Sequence, residues 1–421
     1  MKDVFFIQDT TENRISYWLL LLFVVMLPYD RLYSELALAV FAIHTLIHLR
    51  KNKVEELPRK KVLVCISVYL LTVIGTLYTN AAFRAEAFYE WERQLSILLF
   101  PVLFAVSGLE LQKYKLPLVK GMALSCILAI LFLYFNAVLV IRYNHLPAAS
   151  IFTIAFINHN FSEPIDMHAT YFSMYIALSI TGVMYALIHT GRMLSRVLFG
   201  GMLLVLFAGL IQLSSRSVFI AVLGIMTIVV PFLMLRGRTR RNFLVISLGI
   251  SVIVILALVQ NDAFKNRYVT ELKNDLTQQS INLNILEPRV VRWRCGWELI
   301  RQSPLWGHGS GSEVALLKEQ YYQSKYFNSY VNELNIHNQF LSMVIKTGII
   351  GLIILLFVLL TGFRTAIKRR DALFAGFMVI ITIVFFSENV LDGNKGIFFF
   401  AFFYPLFYLA DPRRTGPAIQ K

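Results

Sequence analysis

Long apolar stretches alternate with short polar segments along almost the whole chain. A helix needs roughly 17 to 25 mostly apolar residues to cross a bilayer. By that criterion the pattern predicts about twelve membrane-spanning helices and thus an all-α, polytopic membrane protein. The predicted spans lie near residues 15–29, 33–49, 62–79, 92–108, 117–141, 169–189, 197–213, 217–235, 243–260, 338–361, 372–388 and 396–410.

One polar stretch, residues 261–336, is much longer than the others. It divides the chain into residues 1–260 with about nine spans, the long loop, and residues 337–421 with about three spans and a short tail. The loop is too small and too poor in apolar residues to build a core of its own, so we expect helices that lie over one mouth of the bundle. Its clearest predicted helix begins at Pro288, a favoured first-turn residue, and runs to Ser303.

Composition and charge agree with a membrane protein and orient it. The chain is 57% hydrophobic and 15% charged, with a mean hydropathy of +0.63, which is too apolar for a soluble domain. Lys and Arg gather in alternate loops, which predicts that these loops and both termini are cytoplasmic and that the long loop is outside. Membrane orientation therefore accounts for the net charge of +15 and leaves no reason to expect a nucleic-acid partner. The basic positions are Lys51, Lys53, Arg59, Lys60, Lys61, Lys113, Lys115, Arg192, Arg196, Arg236, Arg238, Arg240, Arg241, Arg364, Lys368, Arg369, Arg370, Arg413 and Arg414.

Arginines and tryptophans dominate the predicted helix of the long loop. Arg289 and Arg292 lie together on one edge of the helical wheel with Gly296 between them, while Arg294 and Arg301 lie on the other edge. A glycine between two guanidinium groups leaves room for a bulky anion. The alternative is a surface helix with solvated arginines and with tryptophans at the lipid interface. The stripe between the two edges consists of Val290, Trp293, Trp297 and Ile300.

Other polar residues converge on the same predicted outer surface. Arg216 lies in a very short turn between two apolar spans, where a solitary arginine needs an anion, a carbonyl or water. His337 directly precedes the tenth span, whose positive helix end starts at about Asn338. Glu388 and Asp392 lie on that side too. Guanidinium forks bind phosphate oxygens bidentately, so the surface is suited to the pyrophosphate of a lipid carrier.

Three further features have more than one interpretation. Lys346 lies about 12 Å into the tenth helix and needs either a wet cavity or a carboxylate such as Glu388. Three glycines after Pro304 are expected to form a tight turn, since no phosphate-loop lysine follows them. Four residues before the sixth span could in principle hold a divalent ion, but their spacing fits no standard metal site. The glycines are Gly307, Gly309 and Gly311, and the four residues are His159, Glu163, Asp166 and His168.

Four segments resemble the O-antigen ligase family, which includes polysaccharide polymerases and O-oligosaccharyltransferases. They are LSSRSVF around Arg216, RVVRWRCGWELIRQSPLWGHGSG from Arg289, IHNQFLSMVIKTGIIGL from Ile336 and SENVLDGNKGIFFFAFF from Ser387. The second and third segments, which flank a large outer loop, are the most specific. In the first half of the chain, only the segments ERQLSILLFP and HATYFSMY resemble the family, and this resemblance is weaker.

The resemblance implies a GT-C-like, inverting glycosyltransferase that needs neither a metal nor a cofactor. Such an enzyme takes a glycan from undecaprenyl pyrophosphate on the periplasmic side of the bacterial inner membrane. It also implies that Arg216 and Arg289 bind the pyrophosphate and that His337 is the general base for the acceptor hydroxyl. A histidine suits this role because an ordinary imidazole, with a pKa of about 6.5, is mostly neutral at physiological pH. A role of Arg292 in donor binding is inferred instead from its position beside Arg289 on the helical wheel.

Further residues and the acceptor complete the hypothesis. Asn338, Trp293, Glu388 and His168 are expected to support the site, and Asn338 alternatively serves only as a helix cap. The acceptor is expected to be the lipid A-core of lipopolysaccharide, with polymerisation of O-antigen or capsular polysaccharide as the alternative. One modest loop and a short tail after Asp411 argue against protein O-glycosylation. A lipid-glycan flippase would carry its charges within the spans, whereas here they gather at one face.

Overall fold

All regular structure that the computed structural model describes is helical, and the description covers residues 2–5, 7–55, 57–276 and 288–410. Loop residues 277–287 and the predicted tail, with Arg413 and Arg414, lie outside the described residues. The α-helices are α1 (Lys2–Phe5), α2 (Thr11–Met26), α3 (Arg31–Ile47), α4 (Lys51–Glu55), α5 (Arg59–Tyr78), α6 (Arg84–Arg93), α7 (Leu95–Val106), α8 (Leu111–Tyr143), α9 (His159–Ser162), α10 (Ala169–His189), α11 (Met193–Leu213), α12 (Arg216–Gly224), α13 (Gly237–Gln260), α14 (Asp262–Lys265), α15 (Glu271–Leu276), α16 (Arg289–Gln302), α17 (Glu313–Gln323), α18 (Phe327–Val331), α19 (Gln339–Arg369), α20 (Ala372–Phe385) and α21 (Asn394–Leu409). Short 3-10 turns lie at Ala81–Phe83, Ala148–Phe152, Ile154–Phe156 and Glu163–Ile165, and π-helical stretches at Ile225–Met234 and Asn266–Thr270.

Each of the twelve predicted apolar segments contains a helix. Among the described residues, seven helices are long and apolar enough to cross a membrane: α5, α8, α10, α11, α12 with its π-helical continuation, α13 and α19. The remaining predicted segments correspond to α2, α3, α7, α20 and α21, which have 12 to 17 residues. The all-helical, multi-span architecture is therefore confirmed, whereas the count of twelve and the GT-C-like fold stay predictions.

Phenylalanine-rich α21 lies at the centre of the bundle. Its residues from Gly396 to Phe407 are all buried, and Phe402 contacts Phe23 and Phe100 with ring centroids 5.0 and 5.1 Å apart. The aromatic packing fixes the start of α21 and thereby the turn of residues 386–393 that precedes it. That turn carries Glu388.

Helix α19 is broken at Gly348, whose φ of +67° is non-helical. A Cβ atom there would lie 2.0 Å from the carbonyl oxygen of Leu305, so only glycine fits. The chain after α16 crosses the break and restores its hydrogen bonds: His308 N–H donates to Ile345 O and Gly309 N–H to Lys346 O, both at 2.8 Å. The predicted glycine turn is confirmed, because Gly307, Gly309 and Gly311 all have positive φ.

Lys346 is buried and paired with carboxylates. Its Nζ lies 2.7 Å from Glu90 Oε1, 2.8 Å from Asp392 Oδ1 and 3.7 Å from Glu313 Oε2. The expectation of a carboxylate partner is confirmed, but the suggested Glu388 was wrong. Glu388 lies level with the start of α19, whereas Lys346 is two turns further along the helix and faces α6.

Lys346→Met should destabilise the fold strongly, because two buried carboxylates, Glu90 and Glu313, and the partly buried Asp392 would lose their shared cation. Removing one partner of a buried ion pair typically costs about 3–5 kcal/mol. The measurement is thermal unfolding of the purified protein in detergent. Lys318→Met is the matched control: Lys318 pairs with Glu333 at an exposed position, so the melting temperature should not change. Equal melting temperatures for both variants would contradict the prediction.

Candidate active site

The long loop packs onto one end of the helix bundle, which we call the loop face. Thr79, at the end of α5, donates from its hydroxyl to the carbonyl of Ser310 at 2.7 Å. The backbone N–H of Gly311 donates to Glu90 Oε2, also at 2.7 Å. The carbonyl of Asp392 accepts a hydrogen bond from Arg93 at 2.6 Å. The loop and the turn of residues 386–393 therefore share this face, and the basic loops lie at the opposite end.

His337 and Glu388 are hydrogen-bonded partners at the loop face. Nδ1 of His337 lies 3.1 Å from Glu388 Oε2, and the imidazole is 24% exposed while the carboxylate is 11% exposed. His337 has a φ of +48°, a conformation that is uncommon for residues other than glycine and often marks functional sites. The pair has the base–orienter arrangement known from hydrolytic triads, in which a carboxylate fixes the tautomer of a histidine.

Asn338 caps α19 directly after His337. Its side-chain oxygen accepts from Phe340 N at 3.0 Å and Leu341 N at 3.1 Å, which confirms the predicted helix cap. Its own N–H donates to Asn389 Oδ1 at 2.9 Å. The cap therefore links His337 to the turn that carries Glu388.

Opposing effects set the ionisation of Glu388. Burial by itself raises the pKa of the carboxyl, but the hydrogen bond and charge of His337, with the charges of His168 and Arg289, lower it to about 2. Glu388 is thus a carboxylate throughout the physiological pH range. The ordinary pKa of a glutamate carboxyl is 4.5. The contribution of ionised Glu388 to the free energy of unfolding is therefore complete above this ordinary pKa and is lost as the pH falls through about 2.

Two acidic side chains connect the predicted arginines with His337. Nη2 of Arg289 lies 3.8 Å from Glu388 Oε1, and its Nε lies 3.8 Å from Asp275 Oδ2. The same Asp275 oxygen is 2.6 Å from Arg216 Nη2. Arg216, Asp275, Arg289, Glu388 and His337 thus form one continuous chain of contacts. The three residues with predicted roles come from distant segments and meet at a single surface.

Two of the three arginines predicted to bind the donor have a buried nitrogen atom without a hydrogen-bond partner in the described part of the chain. Nη1 of Arg216 and Nε of Arg292 are buried and donate no hydrogen bond to any residue that the structure describes. Burial lowers the pKa of Arg292 from its ordinary value, but a guanidinium stays charged. Buried N–H groups without partners cost free energy, which an anionic oxygen would offset.

The predicted room for an anion beside Gly296 was wrong. A Cβ atom on Gly296 would lie 2.4 Å from Ile336 Cδ1 and 3.3 Å from Ile345 Cδ1, so these side chains fill the space. A helical wheel shows only which residues of α16 share a face, so it could not identify the neighbour that packs there. Trp293 strengthens the same contact, because its Nε1–H donates to Ile336 O at 3.2 Å. Gly296 and Trp293 thus hold the segment that ends in His337, while Trp297 is 50% exposed.

Sequence reasoning missed the residues that fix the backbone on both sides of His337. Glu313 Oε1 accepts from Ile336 N at 3.1 Å and from Asn389 Nδ2 at 2.9 Å. Burial raises the pKa of Glu313, although Lys346 opposes this effect. Asn389 could have been suspected from its place next to Glu388. Glu313 and Asp275 carried no signal, because each is one of many acidic residues in a polar loop.

His168 borders a cavity beside this chain of contacts. It caps α10 by accepting from Thr170 N at 3.3 Å, and its ring centroid lies 4.3 Å from that of His159. Burial lowers the pKa of His168 to about 4, so its imidazole is neutral at physiological pH. The cavity has a volume of about 830 Å³ and is also lined by Glu163 and Asp166.

The candidate metal cluster is not assembled. Across the described ranges, no group of three or more His, Cys, Asp or Glu side chains could hold a metal ion. His159 and His168 touch each other instead, while Glu163 and Asp166 lie exposed at the cavity.

Comparison with known proteins shows a similarity to one family. Residues 201–356 match the family model described as O-antigen ligase. This range includes Arg216, Arg289, Arg292 and His337 but not Glu388. An uncharacterized protein of Haemophilus influenzae is 25% identical over 177 residues, which cover 38% of this chain and 44% of that protein. The chain thus spans less than half the length of this relative.

Proposed function

Because residues 201–356 match the O-antigen ligase family, in agreement with the resemblance found in the sequence, we propose that the protein is an O-antigen ligase. It transfers a glycan from undecaprenyl pyrophosphate to the lipid A-core of lipopolysaccharide. The family match supports a glycosyltransferase-like membrane enzyme, and the donor, the acceptor and the mechanism are our proposal. The protein acts in the bacterial inner membrane.

The loop face is periplasmic in this proposal. The short loops 51–61, 192–196, 236–241 and 364–370, which hold 15 of the 40 Lys and Arg residues, lie at the opposite end of the bundle. Loops rich in Lys and Arg stay in the cytoplasm. Labelling of single cysteines with an impermeant reagent tests this orientation. Reaction of an Arg238→Cys variant in intact cells would contradict it.

One observation carries the proposal: the chain of contacts from Arg216 through Asp275, Arg289 and Glu388 to His337. Two guanidinium groups beside a carboxylate-bound imidazole supply both parts that the reaction needs. The arginines bind the pyrophosphate and neutralise the charge that develops on it as it leaves. Arg292 adds a third guanidinium, whose Nε has no partner among the described residues.

The proposed reaction is an inverting displacement. The acceptor hydroxyl oxygen attacks C1 of the glycan, the bond from C1 to the pyrophosphate oxygen breaks, and undecaprenyl pyrophosphate leaves with the electron pair. Because Nδ1 of His337 donates its hydrogen to Glu388, Nε2 is left to accept the proton of the hydroxyl as general base. Glu388 also stabilises the imidazolium that forms. No step requires a metal.

Glu388→Gln should lower kcat by roughly 10²-fold or more, since the carboxylate that orients and stabilises the imidazolium is lost. Binding of the lipid-linked donor should persist, because Arg216 and Arg289 remain in place. A merely structural role of Glu388 would instead reduce donor binding and turnover together. Glu319→Gln, an exposed carboxylate on α17, is the control and should behave like the wild type.

Reconstitution tests the function directly. Purified protein is incubated with lipid-linked glycan and lipid A-core, without ATP and with a chelator. Transfer to the core supports the ligase. A longer glycan on the lipid carrier would mean a polymerase, and translocation without transfer would mean a flippase. If the protein is a ligase, a strain that lacks its gene should have a lipid A-core without glycan and should accumulate long glycan on the lipid carrier. A core that carries a single repeat unit would contradict the ligase proposal.

A further inference from the structure

The loop face holds, beside the His337–Glu388 pair, the cavity of about 830 Å³ described above. His168 and Tyr171 at the start of α10 form one wall, and the turn between α2 and α3 with Tyr29 forms another. Asn394 and Lys395 at the start of α21 also line it. Its volume lies in the usual range of about 300–1,000 Å³ for sites that bind small molecules.

One turn of the chain carries Glu388 and leads directly to residues that line the cavity. Residues 386–393 lead from Glu388 to the start of α21, where Asn394 lines the cavity. Tyr171 packs against this turn: a Cβ atom on Gly393 would lie 2.5 Å from its hydroxyl oxygen. The ring centroid of Tyr171 is 5.1 Å from that of His168. Tyr171 and the turn of residues 386–393 therefore connect the cavity with Glu388, the partner of the proposed base.

The charges of the cavity differ from those around Arg216 and Arg289. Its two cations are already engaged: Lys395 Nζ donates to the carbonyls of Tyr29 and Leu27, the latter at 2.9 Å. Arg31 Nε lies 3.7 Å from Glu35 Oε1. Glu163 and Asp166 lie exposed at the cavity, and their carboxylates make no hydrogen bond or ion pair within the described part of the chain. With Asp30, the lining contains three carboxylates against two cations, so negative charge is in excess.

We propose that this cavity binds the acceptor as a neutral, hydroxyl-rich saccharide of one or a few rings, with Glu163 and Asp166 accepting hydrogen bonds from its hydroxyl groups. The proposal rests on the proposed function and deepens it. The anionic donor lies with the arginines, the uncharged acceptor sugar lies in the cavity, and His337 stands between the two. Like-charge repulsion by the two carboxylates disfavours phosphorylated or acidic sugars at this position.

Direct binding tests the cavity independently of transfer. The probe is a dephosphorylated core oligosaccharide titrated into the full-length purified protein, with its phosphorylated form as the comparison. The wild type should prefer the dephosphorylated form. A Glu163→Gln/Asp166→Asn double variant should bind it at least tenfold more weakly and should lose most of the discrimination against phosphate. Donor binding should not change.

The matched control is the double variant Glu319→Gln/Glu333→Gln, which removes two exposed loop-face carboxylates away from the cavity and should bind both probes like the wild type. Unchanged affinity in the Glu163→Gln/Asp166→Asn variant would overturn the cavity proposal, as would a wild type that does not bind the neutral probe. Either result leaves the ligase proposal intact if transfer still depends on His337. Saccharide binding without any transfer would overturn the ligase proposal alone.

Discussion

His337→Ala should slow glycan transfer strongly while the lipid-linked donor still binds. A positioned general base contributes roughly 10² to 10⁴-fold to the rate, so kcat should fall by that factor. Donor affinity should persist because Arg216 and Arg289 remain in place. The measurements are single-turnover transfer and equilibrium binding of a labelled lipid-linked glycan to the purified variant.

A second histidine at the same face is the control for this result. His145 lies exposed in the loop after α8, and His145→Ala should retain wild-type turnover. If His337→Ala loses donor binding as severely as turnover, His337 is a donor ligand or a structural residue and its role as base is wrong. Retained turnover would also contradict that role.

Arg289→Ala and Arg216→Ala should each reduce transfer by about 10²–10³-fold or more, since each removes donors aimed at the charge of the leaving pyrophosphate. Both variants should also bind the lipid-linked donor more weakly. Arg289→Lys should stay badly impaired, because an ammonium is a point charge and cannot replace the two-pronged guanidinium contact. Initial rates at varied donor concentration provide the comparison.

Arg294→Ala separates this specific effect from a general loss of positive charge. Arg294 lies on the same helix, α16, but is exposed, so its loss should be mild. Wild-type turnover by Arg289→Lys would contradict bidentate phosphate binding. Equal losses in Arg294→Ala and Arg289→Ala would show that only the net charge of α16 matters.

The sequence by itself determined the helical architecture and several local features. A backbone in lipid must satisfy its hydrogen bonds internally, so each long apolar stretch had to become a helix. The bounds of α16, from Arg289 to Gln302, followed from Pro288 and Ser303. The cap at Asn338 followed from its side chain and its place before an apolar run. Such features depend on residues within a few positions of one another.

The tertiary structure decided which residues meet. Glu388 is 51 residues from His337 and Lys346 is 256 residues from Glu90, so no local period relates either pair. The wheel placed Arg292 and Gly296 together on α16, but only packing showed that Ile336 fills the space beside Gly296. Contacts of this kind depend on how the helices approach one another and on which side chains fill the space between them. Protein interiors are close-packed, so this space cannot be inferred from one helix alone. The sequence therefore predicted the arginines, the histidine and Glu388, while the fold showed that Glu388 contacts His337 and Arg289 and added Asp275 between the two arginines.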